Sequence, residues 1–272
     1  MNRTIIIAIV GAVIVVFVAG LGSNISKLTS LRFGNTKVSP SPEVSFSPLP
    51  SPAESRIPTF SPKPVVTPQK PTAYNGRPVD EVRPNPEEVK LFSESDKQEL
   101  YRSLQNYGKS VKENPDFFSG WLQLGLLKKV IGDFEGARDA WDYAGVIRPL
   151  NDVSFANLGE LYWRYLRLYP QSETNFKVAI TNNPSNAGTY VSLSDLYYYS
   201  LKEKQDMADD IILQGIAVNP QSIDLPKALA ALYERMGQYA LAIEWWNKVL
   251  AQDPQNIAVA SAIDSLKKKM GQ

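Results

Sequence analysis

The chain has 272 residues, a formal charge of +1, no cysteine and no histidine. Those absences remove disulfides, thiolate nucleophiles, a lipid-carrying cysteine, histidine metal ligands and every histidine-dependent triad, leaving carboxylates, lysines and tyrosines for acid–base work. Residues 1–91 hold 10 Lys/Arg and 13 of the 20 prolines, whereas residues 92–272 hold 19 Lys/Arg against 22 Asp/Glu and lack the broad cationic face that nucleic acid requires.

The chain starts with an apolar, uncharged stretch, Thr4 to Leu21. As a helix it would span roughly 27 Å, close to the ~30 Å hydrocarbon core of a bilayer. Residues 1–22 are therefore expected to be a transmembrane anchor. The run exceeds the core of a cleavable signal peptide, although cleavage after Gly22 and secretion of the remainder is the alternative. Arg3 and the α-amino group precede the stretch; Lys27, Arg32 and Lys37 come after it. The charge balance is nearly even. A short leading tail favours export of the chain beyond the span, as in a signal anchor. The rest is therefore expected outside the cytoplasm, with a cytoplasm-facing arrangement as the alternative.

Residues 23–91 read as a disordered Pro/Ser-rich linker. Ser-Pro recurs at Ser39, Ser41, Ser47, Ser51 and Ser61, and Thr-Pro at Thr67. Each proline fixes φ and removes a donor, so neither helix nor sheet is expected to run through. An extended stalk of about 50 residues at ~3.1 Å each would reach on the order of 150 Å.

Residues 92–272 carry a repeat. Prolines close successive segments at Pro115, Pro149, Pro184, Pro220 and Pro254. Upstream of the last four, a leucine recurs at Leu124, Leu158, Leu193 and Leu229, followed by a small residue at Gly125, Gly159, Ser194 and Ala230. Three positions on stand Lys128, Tyr162, Tyr197 and Tyr233. The second half of each segment carries Ala137/Trp141/Ala144, Ser172/Phe176/Ala179, Ala208/Ile212/Gly215 and Ala242/Trp246/Val249. Apolar residues at i, i+3, i+4 and i+7 in each half predict two amphipathic helices per segment. Gly132-Asp133 and Gly237-Gln238 read as breaks, with Asp133 capping the next helix. Flanking stripes predict cap helices over about 95–114, with Ser95 and Gln98 as capping box, and about 257–270.

This pattern resembles the tetratricopeptide repeat, over about 118–151, 152–186, 187–222 and 223–256. The resemblance implies an all-α, right-handed solenoid of four helix pairs whose first helices line a concave groove. In that family the residue after the small one, and those three and four beyond it, face the groove. Those positions hold Leu126, Lys129 and Val130; Glu160, Trp163 and Arg164; Asp195, Tyr198 and Tyr199; and Ala231, Glu234 and Arg235. Lys129, Glu160, Trp163, Arg164, Asp195, Tyr198, Tyr199, Glu234 and Arg235 are the candidate partner-binding residues. Tyr162, Tyr197 and Tyr233 are assigned to the core.

The function expected is a non-catalytic, membrane-anchored scaffold without cofactor or metal. Its partner would be a protein or an extended peptide. Carboxylates beside aromatic rings suit a basic or proline-rich segment. Family members that hold a terminal carboxylate use asparagine just after the small residue, where this chain has Leu126, Glu160, Asp195 and Ala231. A remote alternative, a cell-envelope enzyme, would use Glu160 and Asp195 as a carboxylate pair.

Overall fold

A computed structural model describes residues 73–271 and two short strands nearer the N terminus, β1 (Ala8–Ile9) and β2 (Ala12–Val13). The strands pair antiparallel, Ala8 opposite Val13 and Ile9 opposite Ala12. Those four residues are strand where the expected anchor is helical; the β-branched Ile9 and Val13 suit an extended backbone. The rest of the anchor and the linker up to residue 72 lie outside the described residues. Among the described residues no helix is long and apolar enough to cross a membrane.

From residue 73 onward every element is helical. A one-turn α1 (Pro86–Val89) leads into α2 (Glu94–Glu113). Four pairs come next: α3 (Phe118–Val130) with α4 (Phe134–Ile147), α5 (Val153–Arg164) with α6 (Tyr169–Asn182), α7 (Ala187–Tyr199) with α8 (Ala208–Val218), and α9 (Asp224–Arg235) with α10 (Tyr239–Gln252). The last helix is α11 (Ile257–Lys269). From α2 onward each helix packs on the next in sequence, as the repeat pattern requires. In addition α5 touches α7 and α7 touches α9, which draws the first helices together and makes their side the inner face.

The phased residues form the core. Leu124, Leu158, Leu193 and Leu229 are buried, as are Ala137, Ala144, Phe176, Ala179, Ala208, Ile212, Ala242 and Val249. The small position after each leucine is a requirement of close approach: a Cβ on Gly125 would run into the Trp141 indole, and one on Gly159 into the Phe176 ring. Trp141 is held there by an indole N–H donated to the Leu122 carbonyl, 3.1 Å. Gly132 and Gly237 sit at positive φ, 79° and 73°, and end α3 and α9 as glycine does after a helix. Asp133 caps α4 by accepting from the Gly136 N–H at 3.0 Å. At the start of α2 the cap is Ser93, whose hydroxyl accepts from the Asp96 N–H at 3.2 Å. Ser95 and Gln98 therefore lie inside the helix, a correction of two positions that arises because Ser93 already has the extended φ, ψ of a cap.

Two local features depart from the repeat. In the third pair the extra residues form a 3-10 turn, Lys202–Met207, before α8. That turn brings Lys204 to Glu173 on α6, which also takes Lys177 and the Tyr197 hydroxyl. The folded region also begins earlier than composition implies. Residues 73–91 fall inside the predicted linker, yet Val79 and Val89 are buried in the same cluster as Trp121 and Tyr143. The Tyr74 ring lies 4.8 Å from Trp121 and 5.4 Å, edge-on, from Tyr143. Arg77 bonds Asp139 at 2.7 Å, Asp80 holds Lys112 at 2.7 Å, and the Asn85 N–H donates to the Ile131 carbonyl at 2.7 Å. The prolines of this segment exclude long helices but not an arm fastened by side chains.

The arm also explains Lys128. It occupies the position that holds tyrosine in the other three pairs, and it is buried with Asp133, side chains 2% and 7% exposed. Its ammonium reaches Asp133 at 2.8 Å and the Glu81 carbonyl of the arm at 3.2 Å. A cation stands where the other pairs have an aromatic because the arm supplies it with an acceptor.

Candidate functional site

The inner face is built from α3, α5, α7 and α9. Its second and third helices, together with the α5–α6 turn, enclose an open depression of about 510 Å³. Four of the nine sequence-predicted residues line it: Trp163, Arg164, Asp195 and Tyr199. Three that sequence reasoning missed complete the wall: Arg167, Tyr169 and Ser200.

Trp163 differs from its expected exposure. It is 8% exposed, and its indole N–H donates to the Ser200 hydroxyl at 2.8 Å. That bond reaches the C-terminal end of α7 and turns the ring inward, so Trp163 forms the floor of the depression. The Arg164 guanidinium lies over it, 4.0 Å from the ring centroid. Tyr199 is 49% exposed, as expected of a groove aromatic. Tyr198 meets it edge-on at 4.9 Å and donates its hydroxyl to the Arg235 carbonyl at 3.1 Å. The Arg235 guanidinium lies within 6 Å of both rings and 3.5 Å from Asp195. Six of the nine candidates thus form one continuous patch across α5, α7 and α9.

Glu160 adjoins this patch and is already engaged. It pairs with Arg164 one turn on and accepts the Ser192 hydroxyl at 2.8 Å. Glu234 turns away from the patch: it accepts the Trp246 indole N–H from α10. Lys129 stands beyond Glu160 on α3, its ammonium 5.9 Å from the Trp141 ring centroid. Burial pushes the Lys129 ammonium down in pKa, with Glu160 opposing and Arg164 reinforcing that shift. Burial pushes the Asp195 carboxyl up, against the nearby Arg235 and Arg164. The other positions behave as expected of a helix face: Leu126, Val130 and Ala231 are partly buried.

Arg167 holds an unusual backbone. Its φ is 54°, the left-handed region, and it immediately precedes Leu168, the cap of α6. Gly132 and Gly237 hold the corresponding place before the second helices of pairs one and four. The sequence signal is present in "RLYP", where one added residue and no glycine stand at a turn that elsewhere uses glycine. It is readable as a turn but not as a wall of the groove, because the side chain's direction depends on that added residue.

The arrangement sets aromatic rings and charged side chains side by side on one open face. Each groove carboxylate is bonded to a neighbour, so the inner face is an ion-paired surface. Among the described residues no cluster of three or more acidic side chains could hold a metal ion.

Comparison with known proteins places the repeat independently. Residues 227–256, on the fourth helix pair, match the tetratricopeptide repeat family model. No curated protein sequence matches the chain. A tetratricopeptide repeat protein from Parabacteroides merdae is 17% identical, with 68% of this chain and 73% of that one aligned at a TM-score of 0.50. A thermophilic repeat protein of Thermus thermophilus is 21% identical over 66% of this chain and 94% of that one, with a TM-score of 0.45. The protein MamA is 20% identical over 59% and 92%, with a TM-score of 0.48. At these identities the likeness concerns the fold.

Proposed function

We propose that this chain is a non-catalytic, membrane-tethered scaffold whose inner face holds an extended segment of a partner protein. One observation carries the reading: neighbouring repeats place Arg164, Asp195, Tyr199 and Arg235 on one surface that none of the protein's own described segments covers. Stacks of helix pairs present such a face repeatedly, and side chains from neighbouring pairs then read successive residues of an extended ligand. The apolar stretch 4–21 supplies the tether, and the Ser/Pro-rich segment up to residue 72 supplies reach. Residues 73–91 belong to the scaffold itself.

The test is site-specific photo-crosslinking in living cells. A photoreactive phenylalanine analogue at Tyr199 should capture a discrete partner, and Arg235→Ala should reduce that product. The same analogue at Val146, an exposed position on α4, should not capture it. Equal crosslinking from both positions would remove the inner face as the binding surface.

A further inference from the structure

The charge left uncommitted on the inner face is cationic. Glu160 is taken by Arg164 and Ser192, Asp195 by Arg235, and Glu234 by Trp246. By contrast Arg167 and Lys129 make no ion pair among the described residues, and Arg167 is exposed on the wall of the depression. Arg164 has its one partner on a single edge and stays half exposed, resting on Trp163. A guanidinium presents five donors in a planar fork, so one carboxylate neighbour leaves donors free for a second anion.

The backbone at Arg167 adds an independent argument. A non-glycine residue in the left-handed region costs roughly a factor of five to ten in local stability, and in pairs one and four, whose turns are one residue shorter, this chain places glycine at the left-handed position before the second helix. An arginine there sacrifices local stability. What it gains is an arginine lining the same depression as Arg164, with Trp163 as its floor and Tyr169 and Tyr199 in its wall.

We propose that this depression is an anion-reading subsite, which takes the carboxylate side chain of an Asp or Glu in the bound segment between Arg167 and Arg164, and that Arg167 is its specificity-determining residue. The inference rests on the inner-face reading above and deepens it. It opposes the basic or proline-rich ligand that the groove carboxylates suggest in the sequence, because those carboxylates are spent on the protein's own side chains.

The experiment is selection of a random dodecapeptide phage library on the full-length chain in detergent, followed by affinity measurement on one enriched peptide. Selected peptides should be enriched in Asp and Glu next to an apolar residue. Arg167→Gly should weaken the chosen peptide about tenfold or more, the loss expected for a charge-assisted hydrogen bond. The same variant should melt no lower than the parent, since glycine relieves the turn, and this separates lost recognition from lost folding. Enrichment of Lys, Arg or Pro, with Arg167→Gly binding as the parent does, would overturn the anion assignment and leave the inner-face reading standing. Peptides whose binding is indifferent to both Tyr199→Ala and Arg235→Ala would overturn the inner-face reading itself.

Discussion

Two buried charged sites show how single residues hold this stack, and each has a measurable consequence. Lys128 and Asp133 form a pair hidden from solvent, and Asp133 also caps α4. Replacing Lys128 with Met strands a carboxylate in the interior, which costs about 3–5 kcal/mol. Urea denaturation should show that loss, and adding Asp133→Asn should recover part of it, because the neutral amide can still cap while carrying no charge. Glu173 behaves differently. Burial alone would push its carboxyl up, but hydrogen bonds from Lys177, Lys204 and Tyr197 outweigh burial and hold it at about 2, against an ordinary 4.5. A depressed folded pKa stabilises above the unfolded value and ceases to do so as protons bind in the folded state. The contribution is therefore complete above about pH 5 and lost as pH falls towards 2. At 11% exposure its size is on the order of 3 kcal/mol. Stability measured from pH 6 to pH 2 should fall more steeply in the parent than in Glu173→Gln; parallel curves would contradict the assignment.

At the scale of elements, the arm over 73–91 is the feature that composition conceals. It buries Val79 and Val89, sets Tyr74 against Trp121, and gives Lys128 its second acceptor. Burial of two valines alone is worth about 3–5 kcal/mol. A chain starting at residue 92 should consequently melt roughly 10 °C below one starting at residue 73. Equal melting temperatures would mean that the arm is packed but adds nothing. The arm is hidden in the sequence for a specific reason. Pro78, Pro84 and Pro86 forbid long regular structure and so resemble the Ser-Pro tract before them, but long-range side-chain contacts leave no periodic trace in sequence. The helices, in contrast, are legible, since Leu124, Gly125 and their equivalents repeat at a helical spacing that a core requires. Within the site the same division holds. Tyr199 and Arg235 are fixed by register along a helix, whereas Arg167, Tyr169 and Ser200 come from turns and helix ends, where one added residue resets every direction. Trp163 is placed by the sequence on the correct helix but with too much exposure, because its contact with Ser200 lies in the neighbouring repeat.

At the scale of the whole molecule, the helical stack from residue 73 onward implies a defined product of proteolysis. Helices packed in sequence bury their backbone, and a protease cuts where backbone can enter its active site. Cleavage is therefore not expected within the repeats. On the proposed reading, residues 4–21 tether the chain and the remainder is exported. Protease added to cells stripped of any outer barrier should then release a resistant fragment beginning near Ala73, with the apolar stretch left in the membrane fraction. The mass of that fragment reports the start of the fold, and its release before lysis reports the side of the membrane. A fragment beginning near residue 92 would detach the arm from the scaffold. Protection until lysis would put the inner face towards the cytoplasm, and the search for an acidic partner segment would move to that side.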